Sequence, residues 1–286
     1  MSLETKDTGF YSKKTLNLRG KLIDLSGPIA MGILNVTPDS FFDGGKYFNE
    51  KSIIKRGQEI LKEGGTIIDV GGYSSRPGAA DISEEEEIAR VIPAIRALIR
   101  EFSDCAISID TFRSSVATAA VSEGACMIND ISGGELDAKM FESLSHLQVP
   151  YVLMHMRGNP QTMIAENNYN DIISDMIAYF HSKLYQLRQL KVKDVIIDPG
   201  FGFAKNISQN YHVLKNLEDF EILDCPILVG LSRKSMVYKK LGLPVEEAGN
   251  GTTALNMAAV MSGASILRVH DVKNAIETIK LYNELK

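Results

Sequence analysis

Residues 29–36 read IAMGILNV, an apolar run broken only by one glycine and closed by Asn35 near its carboxyl end. It is apolar at odd and even positions alike, the pattern of a strand buried on both faces; a strand with one wet face would alternate. Seven more such runs follow: Thr66–Gly72, Ala106–Thr111, Met127–Asp130, Pro150–Met156, Val195–Pro199, Pro226–Ser232 and Ser265–His270. Helical spacing fills most of the gaps. In Asp171–Leu190 the residues Ile172, Ile173, Met176, Ile177, Phe180, Leu184 and Leu187 form one stripe at helical period. Ser83 followed by Glu84–Glu87 reads as a capped helix start with a solvated acidic first turn, not a metal cluster.

Eight strands interleaved with helices in about 250 residues predict a (β/α)8 TIM barrel. A doubly wound open sheet competes, because strand count alone does not prove closure. Upstream, Leu16, Leu18 and Leu22 alternate around Arg19-Gly20, which predicts a short N-terminal β-hairpin over Thr15–Asp24 covering one end of the barrel. Without an internal repeat or linker, residues 1–286 are expected to form one domain.

Composition narrows the function classes. The chain is 44% hydrophobic and 23% charged with a net charge of -5, which suits a soluble globular protein and gives no basic footprint for nucleic acid. No apolar run approaches the roughly 20 residues that cross a bilayer. The opening MSLETKDTGFYSKK lacks the apolar stretch of a signal peptide. Cys105, Cys126 and Cys225 are odd in number and widely spread, so they read as core thiols of a cytoplasmic protein. The five histidines share no metal-ligand spacing, which argues against structural zinc.

The strand ends carry the functional signal. The runs close at Asn35, Asp69, Asp110, Asn129-Asp130, His155, Asp198, Ser232-Arg233-Lys234, and Arg268 with His270. In a parallel barrel these ends converge on one face, where such enzymes place their chemistry. Taken singly, an Asp after a strand is more often a helix N-cap, as expected for Asp271 and a candidate role for Asp130, while Asp69 suits a turn. Gathering so many ionisable groups without a ligand is costly, so the set reads as an active site. Asn35–Gly45 and Gly71–Gly78 are long, glycine-rich connections that still carry Phe, Arg and Asp, a composition for lids that order over a ligand. Lys234 either forms a Schiff base or donates to a ligand oxygen. Arg268 and His270, two apart on a strand, point to one side and suit a phosphate. Asp110, Asn129 and Asp198 on neighbouring strands suit a ligand edge rich in N–H donors, such as an aminopyrimidinone.

The segments MGILNVTPDSFFDGG, DVGGYSSRPGA, SIDTFR, INDISGG, LMHMRGNPQTM, DPGFGFAK, GLSRKS, GTTALNMAAV and LRVHDV occur in the order found in dihydropteroate synthases, and the chain resembles that family from about residue 29 to 271. The resemblance implies a TIM barrel, a homodimer, and condensation of 6-hydroxymethyl-7,8-dihydropterin diphosphate with p-aminobenzoate to give 7,8-dihydropteroate and pyrophosphate in folate biosynthesis. It implies that Asp110, Asn129 and Asp198 bind the pterin edge over a floor that includes Met154. Lys234 then donates to the pterin carbonyl and ring nitrogen, against the Schiff-base alternative. Arg268 stacks on the pterin, and Asn35, Arg268 and His270 hold the diphosphate, with Asn35 also at the Mg²⁺ position. For p-aminobenzoate, the target site of sulfonamides, the matching positions are Phe41, Ser75, Arg76, Pro77, Phe203 and Ser235. Asp110, Lys234, Arg268 and His270 are the expected catalytic residues.

Four positions depart from the family pattern: Phe42 replaces a small Ser, Tyr73 a frequent Glu, Ser75 a Thr and Ala204 a Gly. None removes a group the chemistry needs. Three rivals remain at this level: a pterin-binding methyltransferase, which needs no diphosphate grip; a sugar-phosphate aldolase using Lys234; and a non-catalytic pterin-binding paralogue.

Overall fold

The computed structural model describes residues 15–36, 47–74, 81–159, 162–163 and 166–286, together with 42–43; at 42–43 and 47–48 the backbone alone is described. Phe41, Ser75, Arg76 and Pro77 lie outside the described residues. The hairpin forms as its sequence predicts: β1 (Thr15–Leu18) pairs antiparallel with β2 (Lys21–Asp24), Leu18 opposite Lys21. Arg19 and Gly20 take φ of 55° and 81°, the two positive values a two-residue hairpin turn needs.

The apolar runs become the strands β3 (Ile29–Asn35), β6 (Ile67–Gly71), β7 (Ala106–Asp110), β8 (Met127–Asp130), β9 (Tyr151–Met154), β10 (Val195–Asp198), β11 (Ile227–Val229) and β12 (Ala264–Val269). They pair in that order into one closed parallel barrel, which removes the open-sheet alternative: β12 returns to β3 with Ile266 beside Ile29 and Val269 beside Gly32. Most strands are a residue or more shorter than their apolar runs; Asn35, Asp69, Asp110, Asn129, Asp130, Asp198 and Arg268 stay in the ladder, whereas His155, residues 232–234 and His270 lie beyond it. Within the first of these loops lies a ribbon not foreseen from sequence, β4 (Phe42–Asp43) against β5 (Tyr47–Phe48).

Nine α-helices lie among the described residues: α1 (Glu50–Lys62), α2 (Glu84–Glu101), α3 (Ser114–Ser122), α4 (Met140–Leu147), α5 (Ile172–Gln189), α6 (Ile207–Lys215), α7 (Ser235–Leu241), α8 (Gly249–Met261) and α9 (Val272–Leu285). One follows each barrel strand, with α8 extra before β12. The α5 stripe buries Ile172, Met176, Phe180, Leu184 and Leu187, and its N-cap Asp171 accepts the Ser174 N–H. Among the described residues no helix is long and apolar enough to cross a membrane.

Two apolar layers result. One lies between barrel and helices. The other fills the barrel's lower interior: Met31, Ile67, Met127, Val152, Ile196, Leu228 and Ile266 meet Leu16, Leu18 and Leu25 from the hairpin region. The hairpin therefore plugs the amino-terminal end, and the opposite end is left as the mouth.

Three acidic residues differ from their sequence reading. Glu87 is not solvated: it is fully buried and takes a 2.6 Å bond from Arg113, because this turn of α2 faces the β7–α3 junction. Asp271 sits at the N-cap position of α9 but makes no capping bond; both its oxygens are taken by Arg233, at 3.2 and 2.8 Å. Asp130 caps no helix either. Its carboxylate faces out of the barrel and gathers Ser132 N, Ser132 Oγ, Gly134 N and the Tyr151 hydroxyl, stapling the loop after β8. Among the thiols, Cys105 and Cys126 are buried, whereas Cys225 is half-buried.

Candidate active site

Alternation along the strands decides what enters the mouth. On β6 and β7, Asp69 and Asp110 sit two residues above apolar or small inward positions, Ile67 and Ser108, so both carboxylates stand over the packed floor. Arg268, likewise two residues beyond inward-facing Ile266 on β12, reaches across to them. Its Nε donates to Asp69 Oδ2 at 2.6 Å, and its Nη2 donates to Asp110 Oδ2. Asn129 from β8 donates its Nδ2 to the same Asp69 oxygen at 3.0 Å. That bond fixes the amide's orientation and turns its carbonyl oxygen away from Asp69.

One cation is thus shared by two carboxylates. Burial pulls the Arg268 guanidinium down, but the Asp69 and Asp110 charges outweigh this and hold it above its ordinary value. Burial pushes the Asp110 carboxyl up to about 7; Arg268 pulls it back and Asp69 adds to the rise. Asp198, at the end of β10, is raised by burial against the pull of the Gly200 N–H, which donates to its Oδ1 at 2.7 Å, and of Lys234.

Beyond Asp198 the sequence Gly200-Phe-Gly-Phe-Ala204 makes a tight turn in which every second residue is left-handed: Gly200 at φ 70°, Gly202 at 80° and Ala204 at 48°. A side chain at Gly200 is impossible, since its Cβ would fall 2.2 Å from the His155 carbonyl oxygen. The alternation sends Phe201 into the outer core and Phe203 into a separate cluster with Met154, Met156, Met163, Ile131 and Ala204 at the mouth. Lys234 stands over the Phe203 ring, its Nζ 4.2 Å from the ring centre. Burial, with Arg268 pushing the same way, brings the Lys234 ammonium down to about 8.

His270 does not sit beside Arg268 in one grip. Its backbone N–H donates to Ser232 Oγ at 3.2 Å, and its Nδ1 lies 3.0 Å from the same oxygen. The Ser232 hydroxyl thus holds both the backbone and the ring of His270. Burial and then Arg268 and Arg233 bring the imidazole down to about 4, so it is neutral at pH 7. Arg56 supports this corner by donating to the His270 carbonyl at 2.6 Å. Across the mouth, Gly71 leaves a bare Cα between Asn35 and Asp110; a Cβ there would lie 3.5 Å from Asn35 Oδ1 and from Asp110 Oδ2. Ser235 opens α7 directly after Lys234. Among the described residues no group of three or more His, Cys, Asp or Glu is arranged to hold a metal ion.

The structure therefore brings Asp110, Asn129, Asp198, Met154, Phe203, Lys234 and Arg268 to one mouth, with Asn35, Ser235 and His270 at its rim. Three residues do more than the sequence reading gave them. Asp69, set aside for a turn, is the anchor of Arg268 and Asn129; Ser232 holds the backbone and ring of His270; and Lys205, not singled out from sequence, is buried behind the Phe203 turn. The signal for Asp69 was its position two residues inside a strand end, on the inward parity. Chemically, the mouth offers hydrogen-bond acceptors on one side, buried ammonium and guanidinium groups on another, and a neutral imidazole at its rim.

Residues 31–270 match the family of pterin-binding enzymes. The chain is 42% identical over 265 residues to the dihydropteroate synthase of Escherichia coli, covering 92% of this chain and 93% of that one. Among solved structures, the Yersinia pestis dihydropteroate synthase in a sulfonamide drug complex superposes with a TM-score of 0.89 at 40% identity, covering 95% of this chain and 98% of the other. The Xanthomonas albilineans dihydropteroate synthase with 4-aminobenzoic acid gives 0.88 at 34% identity, covering 95% and 98%.

Proposed function

The chain belongs to the pterin-binding enzymes and, within them, to the dihydropteroate synthases, and from that premise we propose how its own residues divide the work. The enzyme is a transferase of folate biosynthesis that joins the methylene of 6-hydroxymethyl-7,8-dihydropterin diphosphate to the amine of p-aminobenzoate, giving 7,8-dihydropteroate and pyrophosphate. The observation that carries the division of labour is the acceptor-rich floor. Asp198, the Asn129 carbonyl turned away from Asp69, and Asp110 face a ligand edge of N–H groups, while the Lys234 ammonium supplies the donor that a pterin carbonyl and ring nitrogen accept. Met154 lies beneath. Lys234 packs on Phe203 as a donor, which replaces the Schiff-base alternative.

In the reaction the methylene C–O bond breaks with its electron pair leaving on the diphosphate, and the amine nitrogen forms the new C–N bond and loses a proton. Positive charge develops on the pterin, beside the Asp110 and Asp69 carboxylates. Negative charge develops on the leaving group, where the neutral His270 ring faces it and Arg268 turns from the carboxylates to the phosphate. Arg268's two anchors hold the site together before the anion arrives. Phe203 walls the p-aminobenzoate, with Ser235 near its carboxylate; Phe41, Ser75, Arg76 and Pro77 are assigned to the same substrate by the family resemblance alone. Sulfonamides, which mimic p-aminobenzoate, compete for the same wall.

Asn35 is the protein's oxygen for Mg²⁺. The donor set fits: one hard amide oxygen beside the bare Gly71 leaves room for a hydrated ion held mainly by the substrate's diphosphate oxygens. When bound, the ion neutralises charge on the departing diphosphate. The protein acts in the cytoplasm as a homodimer; exposed Leu241, which ends α7, and Val245 beyond it are apolar surface that a second copy can cover.

The test is to incubate the protein with dihydropterin diphosphate and Mg²⁺, with and without p-aminobenzoate, and to follow both products. Pyrophosphate release that requires p-aminobenzoate and matches dihydropteroate is expected. Folded Lys234→Ala or Asp198→Ala protein with near-wild-type turnover refutes the residue roles while leaving the reaction intact.

A further inference from the structure

Lys205 is a buried cation that the chemistry above does not use. It ends the Gly200–Ala204 turn and is followed by Asn206, the N-cap of α6. Its Nζ donates to Gly200 O at 3.1 Å and to Phe203 O at 3.0 Å, and lies 3.2 Å from His155 Nδ1. Those three partners account for all three ammonium protons, so Lys205 reaches no ligand. Each partner has a defined place. The two carbonyls bracket the turn, whose own bond runs from Phe203 N to Gly200 O at 3.1 Å. His155 follows Met154 out of β9, and its ring packs edge-on against Tyr179.

We propose that Lys205 is a positioning residue for the second substrate: bonded to Gly200 O, Phe203 O and His155, it locks the turn that presents the Phe203 ring to p-aminobenzoate. The inference rests on the assignment of Phe203 to that wall. A lock is required because the turn is strained. Ala204 is held left-handed, a conformation a Cβ disfavours. Asn210 and Tyr169 hold other points, through Gly202 N and Ala204 O; among the described residues it is Lys205 that takes the carbonyl of Phe203 itself. Asp198 favours the charge on this ammonium, while burial, Lys234 and Arg157 oppose it and bring the group down to about 7. A neutral His155 accepts the third bond, its ring held well below the usual imidazole range by burial and by Lys205.

The experiment compares Lys205→Met, His155→Gln and Phe203→Ala in the whole enzyme, reading KM for each substrate, kcat, and folding by circular dichroism. Lys205→Met should raise the KM for p-aminobenzoate about tenfold, short of the hundredfold that a misplacement of about 1 Å can cost, while the KM for pterin diphosphate stays within about twofold. His155→Gln, which keeps Lys205 and loosens one bond of three, should raise the p-aminobenzoate KM about threefold. A folded Lys205→Met with both KM values unchanged, or with both raised equally, overturns the proposal. If that variant does not fold, an unchanged p-aminobenzoate KM in His155→Gln overturns it instead. Phe203→Ala separates the two layers. An unchanged p-aminobenzoate KM there removes Phe203 from the wall, whereas a raised one beside a silent Lys205→Met removes only the lock.

Discussion

Replacing Asp69 by Ala tests whether one buried carboxylate organises the mouth. The side chain is fully buried, and its Oδ2 takes both the 2.6 Å bond from Arg268 Nε and the 3.0 Å bond from Asn129 Nδ2. Losing a charge-assisted bond to Arg268 costs about 1.5–3 kcal/mol, and stranding an N–H of buried Asn129 adds about 1–3 kcal/mol. Two effects offset part of this. Arg268 keeps Asp110, and the variant no longer desolvates a carboxylate whose Oδ1 finds no hydrogen-bond partner. The net expectation is a loss of about 3 kcal/mol. At a urea slope of about 3 kcal/mol/M this lowers the unfolding midpoint by about 1 M with an unchanged slope. In the folded fraction, Asn129 is no longer held in one orientation and Arg268 has one anchor in place of two. The KM for pterin diphosphate should therefore rise far more than that for p-aminobenzoate. A midpoint shifted by less than about 0.3 M, with pterin KM unchanged, refutes the reasoning; a shift without the KM effect confines Asp69 to folding.

Arg113→Met leaves Glu87 buried beside no cation and should cost about 3–5 kcal/mol in urea unfolding. Asp171→Ala removes the cap of α5 and should cost about 1 kcal/mol by the same measurement. His270 is held down to about 4 when folded, from an ordinary 6.5, so the unfolded chain binds the extra proton between those values. Its contribution to stability is complete above pH 6.5 and is lost as pH falls through 4. Wild type should thus lose roughly 2 kcal/mol relative to His270→Gln between pH 7 and 5, and parallel pH profiles contradict the assignment. Chelating Mg²⁺ should abolish turnover yet leave the thermal midpoint of the ligand-free protein unchanged, because the chain supplies too few oxygens to bind the ion alone.

The barrel was legible because most of its strands are apolar on both parities, and because capping residues such as Ser83 and Asp171 mark where helices begin. Closure was not, since it depends on Ile266 lying beside Ile29, a pairing no local window contains. The mouth was legible as a list of strand-end residues, but the links among them were not. The parity of Asp69 put it inside the barrel, but its partner could be read only once β12 had brought Arg268 across to it, and that of Glu87 only once Arg113 had been placed opposite α2. Lys205 follows Asp198 closely in sequence, yet its role depends on His155 from another strand. Parity reasoning alone separates inward Asn129 from outward Asp130, and that distinction was available before any coordinates.

Ala204 carries a consequence for how this sequence can drift. Its left-handed φ of 48° costs about 1–2 kcal/mol against glycine. Glycine would forfeit a buried methyl worth about 0.8 kcal/mol and give the unfolded chain back about 0.4–1 kcal/mol of freedom. The opposing sums nearly cancel, so exchange between the two residues is close to neutral and selection has little purchase on it. Relatives with either residue can descend from one another without passing through a weakened intermediate. The neighbouring Gly200 has no such latitude, because any side chain there meets the His155 carbonyl.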